Sequence, residues 1–579
     1  MRFPSIAALA QRAGEVARRF PLTLALGATA AGFAVAAVDA NDADDLLWRI
    51  ALVALLGLPL SVGFALRARY LAWSVGRQVL WQAAGLLVLV LFFITWPGPK
   101  RDQDMVRFLH LAAILHLVAA VLPFIRGRET TAFWQYNRRL FESFLRAAVF
   151  AAVLFVGLAV ALGALDKLFG MHVPGESYAR LFFCMAFLVH PWIFLAGVPD
   201  EVEELAFQTY PRALKIFTQY VLTPLVAVYL VILVLYLGKI IVTGQWPNGW
   251  IGYLVTAVSV AGLLGFLLVH PLQSLPEEGW IRLYARGLFI GLVPAAVMLL
   301  LALWKRVAPY GLTPLRTLGL VLGVWLLGIA ILYIVSRGTS IRTIPLSLAA
   351  VLTVCFGGPL GVRHLSVNSQ ANRLTHLLSG TDRSGERARE ASAALGFLLQ
   401  YDARDAVERI FGDSALGDVN LAGNNWVIRD SVASRLLALK GVTYSASSAR
   451  GSHGREAARR APGEAIPMAG YDWLLPLDLS RDTMAAHAGP HAIHVSRDST
   501  HNWLDVKVDS SAPVRFRIDS MYLAWQAADS ASRPTQLLSE RTAGAVRLML
   551  AASEIWVFGP EDTLRVGGVN GQLLVGERK

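Results

Sequence analysis

Long apolar runs, separated by short polar or turn-forming stretches, fill the chain up to Val362 and then stop. The plan is clearest in Tyr210–Pro271, which holds the runs Phe217–Val242 and Ile251–Val269. Each is long enough to cross a bilayer as a helix, since a ~30 Å hydrocarbon core needs about 20 helical residues. Between them lies TGQWPNGW, where Pro247, Asn248 and Gly249 break the helix and Trp246 and Trp250 suit a headgroup interface. The same plan recurs at Phe20–Val38, Leu46–Leu66, Val79–Trp96, Met105–Ile125, Phe144–Leu165, Tyr178–Gly197, Leu283–Leu303, Leu315–Ser336 and Ile344–Val362, giving eleven expected spans. Ala34-Val35-Ala36 resembles a signal-peptide cleavage site, but the first run is longer than a usual signal h-region and is read as a retained helix.

After Val362 the periods change. Ser366–Leu378 and Glu386–Tyr401 have helical apolar spacing. Asp402 and Asp405 form a capping-box pattern ahead of a short helix, and Asp430 is placed to cap Ser431–Leu439, with Gly441 as its stop. Residues 446–470, rich in Gly, Ser, Arg and Ala, read as a mobile loop. Short alternating runs follow at Ile493–Arg497, Trp503–Val508, Val514–Ile518, Met521–Gln526, Val546–Ala551, Ile555–Phe558, Leu564–Val569 and Gln572–Val575. Their spacing predicts an antiparallel sandwich or barrel-like module. The expected fold is therefore a mainly α membrane protein, a polytopic helical bundle of about eleven transmembrane helices, followed by a soluble α+β, β-rich C-terminal domain. Its divisions are a basic N-terminus at 1–19, the membrane bundle at 20–362, a juxtamembrane helical region at 363–445, the loop at 446–470 and the β-rich module at 471–579.

Composition agrees with this division. The chain is 55% hydrophobic and only 16% charged, below the roughly 25% of soluble domains. Its net charge of +12 is concentrated in residues 1–362, with 28 Lys and Arg against 17 Asp and Glu; the remainder holds 25 against 24. The excess lies in connections between apolar runs, where insertion topology accounts for it and nucleic-acid binding is not implied. With a cytoplasmic N-terminus, 18 bases fall on the inner side and 10 on the outer. Eleven spans then leave the C-terminal domain outside the cytoplasm, in the periplasm of a two-membrane bacterium. Cys184 and Cys355 both lie in apolar runs, which excludes a disulfide framework or CxxC site in the tail.

Several of the quoted stretches resemble a bacterial membrane family catalogued as domain of unknown function 4153. They are YNRRLFESFLRAAVFAAVLFVGLAVALGALDKLFG at 136–170, HPWIFLAGVP at 190–199, the hairpin at 210–271, and GWIRLYARGLFIGLVP at 279–294. WKRVAPYGLTPLR at 304–316 and LSVNSQANRL at 365–374 extend the resemblance, which covers residues from about 130 to 375. It implies a membrane protein and supplies no catalytic residue and no cofactor.

Ionisable groups inside spans are costly and often functional. Here they are His110, His116, Arg146, Asp166, His190 and Lys239. Asp166 and Lys239 fall near the outer ends of their spans, where they could pair or snorkel to headgroups. His190 lies well inside its span beside Pro191. Lys305, Arg306 and Arg316 form an outer basic cluster around Pro309-Tyr310-Gly311, against the usual charge rule. Such a cluster fits anionic lipid, an envelope glycan or acids of the tail. The candidate ligand-binding residues are thus Lys305, Arg306, Arg316, His190, Asp166 and Lys239. HAGPHAIH brings His487, His491 and His494 near His501, but Gly489-Pro490 interrupts any helical presentation, and no metal site is assigned.

The leading expectation is an inner-membrane protein of envelope-associated interaction or sensing, in contact with membrane lipids and other envelope proteins. A transporter or channel using the buried polar residues is the alternative. A second alternative is a glycosyltransferase acting on lipid-linked sugar. It rests on Asp39, Asp42, Asp44 and Asp45 in the first outer loop, similar in outline to membrane glycosyltransferases of the C type.

Overall fold

The computed structural model describes residues 6–40, 45–99, 102–125, 130–198, 210–244, 250–274, 279–336, 340–380, 385–413, 415–417, 419, 426–445, 456–459, 468, 470–478, 483–498, 503–527, 537–558 and 565–577. The expected interfacial turn Trp246–Gly249 lies outside the described residues, as do Asp42, Asp44 and His501. The chain forms two compact units, Met1–Arg373 with Ala422–Asn424, and Leu374–Leu421 with Asn425–Lys579.

The first unit is helical. Its helices are α1 (Ile6–Arg19), α2 (Pro21–Asp39), α3 (Asp45–Tyr70), α4 (Val75–Thr95), α5 (Asp102–Val121), α6 (Thr130–Phe169), α7 (Glu176–Cys184), α8 (His190–Ala196), α9 (Arg212–Phe217), α10 (Thr223–Thr243), α11 (Trp250–Val269), α12 (Gly279–Tyr310), α13 (Pro314–Val335), α14 (Thr343–Phe356) and the first turns of α15 (Val362–Ser379). Single π turns, Met185–Val189 and Thr218–Leu222, join α7 to α8 and α9 to α10. Among the described residues ten helical segments are long and apolar enough to cross a membrane, and they coincide with the first ten expected spans. The eleventh is shorter than expected. α14 has 14 residues and stops at Gly357, because Gly357, Gly358 and Pro359 cannot hold a helix.

Packing in this unit relies on close backbone approach. At Gly262 and Gly323 an added methyl would lie 2.7 and 2.8 Å from Leu288 and Leu300. Membrane helices associate through such contacts because lipid supplies no hydrophobic drive between them. The core is centred on α10–α13, with Val255, Leu292, Ala296 and Met298 fully enclosed. Val149, Phe150 and Val153 of α6 and Val231 and Leu235 of α10 are exposed, an apolar surface suited to acyl chains.

The second unit begins with helices and ends in β-structure. α16 (Gly385–Gln400), α17 (Arg404–Phe411) and α18 (Trp426–Ala438) bury Leu395, Leu398, Leu399, Val407, Leu436 and Leu437. The expected caps are not formed. Ala403 is the N-cap of α17, without a side-chain bond, and Asp402 adopts a left-handed φ of 45°. Asp430 sits inside α18 and accepts the Tyr444 hydroxyl at 2.7 Å. Gly441, with φ 67°, follows the end of α18 as expected.

The strands are β1 (Glu456–Arg459), β2 (Trp473–Asp478), β3 (Thr483–Ala488), β4 (His491–Asp498), β5 (Trp503–Val508), β6 (Val514–Arg517), β7 (Leu537–Ala543), β8 (Val546–Phe558) and β9 (Arg565–Glu577). One antiparallel sheet runs β1-β8-β9-β2, with β7 also on β8; the other runs β3-β4-β5-β6. Val495, Leu504, Val506 and Phe516 of one sheet share a core with Leu548, Leu550, Leu573 and Val575 of the other. This is a sandwich. β1 lies within the stretch expected as a loop, paired to β8. Met521–Gln526, expected as a strand, belongs to helix α19 (Ile518–Ala527), because Ile518 and Tyr522, one helical turn apart, both enter the core.

Candidate functional site

The WKRVAPYGLTPLR stretch folds into a tight helix-turn-helix junction. α12 runs through Pro309 to Tyr310, and Gly311 ends it with φ 70° while its N–H bonds the Val307 carbonyl at 2.8 Å. Pro314 then opens α13, where its missing N–H costs nothing. Three polar residues of α15 strap this turn. Gln370 Nε2 donates to the carbonyls of Tyr310 and Leu312, both at 2.9 Å. Ser369 Oγ accepts the Leu312 N–H at 2.9 Å, and Ser366 Oγ meets Thr317 Oγ1 at 3.3 Å. Gly311 is needed twice over, since a methyl there would lie 2.8 Å from Gln370 Nε2.

The three predicted bases divide at this junction. Arg316 is built into it: Nη1 donates to the Gly311 carbonyl at 2.9 Å, and the guanidinium lies 5.9 Å from the Tyr310 ring centroid. Arg373 of α15 sits 5.7 Å from the same ring, so two cations share one aromatic. Lys305 and Arg306 are exposed on α12. Arg306 and Arg373 both act repulsively on Arg316. Sequence reading found the basic turn but missed Ser366, Ser369, Gln370 and Arg373. Their signal was present, since a polar stripe at 366, 369, 370 and 373 lies on one helical face.

His190 opens α8 directly after the π turn. Its N–H bonds the Met185 carbonyl, one residue further back than in an α-helix. Pro191 brings no N–H, so a carbonyl of that turn loses its helical donor. The Phe187 carbonyl is directed at α2, where a methyl on Gly27 would lie 2.7 Å from it. The His190 ring packs edge-on against Phe144, with ring centroids 5.0 Å apart. Nε2 is buried without a hydrogen-bond partner among the described residues.

Asp166 and Lys239 do not form the pair considered from sequence. Asp166 meets Lys167 Nζ at 3.1 Å and accepts the Val173 N–H at 3.4 Å, sealing the end of α6, while Lys239 is exposed on α10. His110 and His116 are bound to the Leu352 and Ala112 carbonyls, and Arg146 bonds Ser143 Oγ. Asp39, the last residue of α2, pairs with Arg180 at 2.6 Å.

A second polar centre lies on α6. Arg138 is 5% exposed and donates to Gln135 Oε1 and Glu142 Oε1, both at 2.8 Å. Beside it Trp134 stacks on Tyr210 at 5.3 Å, and the two donate to the Leu267 and Leu268 carbonyls. Ser143 donates to the Gly197 carbonyl at 2.9 Å. These contacts join the YNRRLFES, HPWIFLAG and central-hairpin stretches, which lie far apart in sequence.

In the tail the histidines separate. His491 Nδ1 bonds Asp509 Oδ2 at 2.7 Å, and its other nitrogen is 3.6 Å from Glu577 on the opposite sheet. His487 and His494 lie on the outer face of the four-stranded sheet. Among the described residues no three His, Cys, Asp or Glu side chains are grouped to hold a metal.

An uncharacterized protein of Pasteurella multocida (strain Pm70) is 21% identical to this chain over 323 residues, covering 55% of the chain and 52% of the relative. The chain therefore spans about half the length of that curated relative. No solved structure matches it. The model of the family described as Domain of unknown function (DUF4153) matches residues 25–410, well beyond the stretch of resemblance legible in the sequence. The match takes in the polar centre, the π turns, the basic turn and its strap, and the chain belongs to that family.

Proposed function

We propose that this is an integral protein of the bacterial inner membrane whose β-rich tail stands in the periplasm. Its role there is envelope-associated interaction or sensing, with no chemistry of its own. The observation that carries this reading is the seam between α15 and the α12–α13 turn. Since residues 366–370 bond residues 310–317, the chain leaves the helical unit on the side where α12 ends. α14 supplies the last passage. Arg342, before its start, reaches the Phe124 carbonyl beyond the end of α5 at 3.4 Å, and Phe356, at its end, packs on Phe92 near the end of α4. Its 14 residues rise about 21 Å, and residues 357–361 add the remainder. The number of passages is then odd, and the surplus of Lys and Arg in alternate connections favours a cytoplasmic N-terminus. Lipid is the partner of the exposed helix faces, with an anionic lipid or envelope glycan at Lys305 and Arg306.

Transport is the second reading, and one observation favours it. Each π turn is followed by a residue and then a proline, Pro191 and Pro224, and interrupted spans of this kind line substrate paths. The packing of His190 on Phe144 favours a closed bundle instead. Compartment-specific reporters fused after Arg139, Trp250 and Lys579 should report cytoplasm, periplasm and periplasm. A cytoplasmic signal at Lys579 overturns the topology. In a chain with Cys184 and Cys355 replaced by Ala, His190→Cys should resist a membrane-impermeant maleimide; ready labelling moves the reading to transport.

A further inference from the structure

The HAGPHAIH segment forms the β3–β4 hairpin of the four-stranded sheet. β3, β4 and β5 place its outward residues on a regular grid. One row is His487, Ala492 and Asp509; the next is Ala485, His494 and Lys507. His494 is directly opposite Lys507, and His487 is diagonal to His494, distances of roughly 5 and 7–8 Å between strand positions. Alanines at 485 and 492 place only methyl groups between these side chains. The result is a depression of about 500 Å³ walled by His487, His494, Lys507 and Asp509. Its volume falls within the range of small-molecule sites, roughly 300–1,000 Å³.

The walls are rich in nitrogen donors. Lys507 carries a full positive charge, and two imidazoles can each donate. The one carboxylate is already engaged, as Asp509 Oδ2 accepts His491 Nδ1 at 2.7 Å and Oδ1 accepts the Ala492 N–H at 2.8 Å. Two bases facing one another across a ladder repel when both are charged, which an anion between them relieves. We propose that this face of the sandwich binds a small solute of monosaccharide size bearing a carboxylate or phosphate, held by Lys507, His494 and His487. The geometry of the face is independent of which side of the membrane the tail occupies, so this assignment stands apart from the proposed topology.

Carbethoxylation footprinting of the full-length chain in detergent reads each histidine separately. Sodium glucuronate and sodium phosphate are the anionic probes, glucose the neutral one, and exposed His376 the internal control. Modification of both His487 and His494 should fall by about half when either anion reaches its Kd, with His376 and the glucose sample unchanged. Lys507→Ala should abolish the protection and Lys507→Arg should keep it. Protection by glucuronate alone assigns a carboxylate ligand, and by phosphate alone a phosphorylated one. Absence of protection, equal protection by glucose, or full protection in Lys507→Ala overturns the site.

Discussion

Gly27 and Gly32 stand in the same helix and differ in what surrounds them. A methyl at Gly32 meets nothing within 4 Å, whereas at Gly27 it lies 2.7 Å from the Phe187 carbonyl oxygen. Glycine in a helix interior ordinarily costs about 0.5–1 kcal/mol relative to alanine. Gly32→Ala should therefore leave the melting temperature in detergent unchanged or raised. Gly27→Ala should lower it, by the 1–3 kcal/mol typical of overpacking, because a backbone carbonyl cannot rotate aside. Asp509 shows the same dependence on neighbours in its ionisation. The His491 hydrogen bond and the Ala492 amide hold its carboxyl below the usual carboxylate range. Its folded pKa is thus below its unfolded one, so its stabilisation is complete above about pH 4 and lost as pH falls through the folded value. Glu540, lowered by Arg547 and Tyr471, acts in the same window. Tryptophan-fluorescence melts at pH 7 and pH 3 should show Asp509→Asn less stable than wild type at pH 7, with the difference shrinking at pH 3. A constant difference would exclude the linkage.

Helix α15 holds the α12–α13 turn through its polar face. Gln370 is buried and holds two carbonyls of the α12–α13 turn. Gln370→Leu leaves both without that donor, at about 1–3 kcal/mol for each group left unsatisfied. The melting temperature should fall and the 310–314 turn should become sensitive to protease. Arg316→Gln should behave alike, since Arg316 bonds the Gly311 carbonyl. Lys305→Gln with Arg306→Gln should instead leave stability within about 0.5 kcal/mol, as surface changes usually do. That double variant should lower the anionic lipid or glycan seen by native mass spectrometry, and unchanged occupancy would remove these two residues from any ligand site. Local signals misled the reading at other elements. Met521–Gln526 alternates enough to pass for a strand, yet the burial of Ile518 and Tyr522 sets a helical period. β8 and β9 were each divided in two by polar and glycine positions; the ladder runs through both, with irregularities at Ala552/Glu554 and Trp556/Val557.

For the whole molecule, the boundary between the two compact units falls between Arg373 and Leu374, within α15. Ser366, Ser369 and Gln370 bond the turn at 310–317, and this part of α15 belongs with the helices before it. A fragment of residues 374–579 should therefore give cooperative melting and mixed helix and strand circular dichroism. It should be no less stable than one starting at 363, whose added residues have lost their partner turn. A non-cooperative fragment would show that the tail needs the helical unit to fold.

The first ten apolar helices and most of the tail's strands were legible because they depend on period and length. An apolar run of 20 residues has few alternatives to a spanning helix, and its cost in water is paid wherever it lies. The basic turn was legible for the same reason, as charges flanking Pro309 and Gly311. The strap on that turn, the burial of Arg138 among Gln135 and Glu142, and the local capture of Asp166 by Lys167 were decided by the tertiary structure. So was the grid of His487, His494 and Lys507, whose three strands set the register. A charged or hydroxyl side chain takes whichever donor or acceptor the fold brings within about 3 Å, and one sequence position says nothing of what lies across a helix seam or a β-ladder.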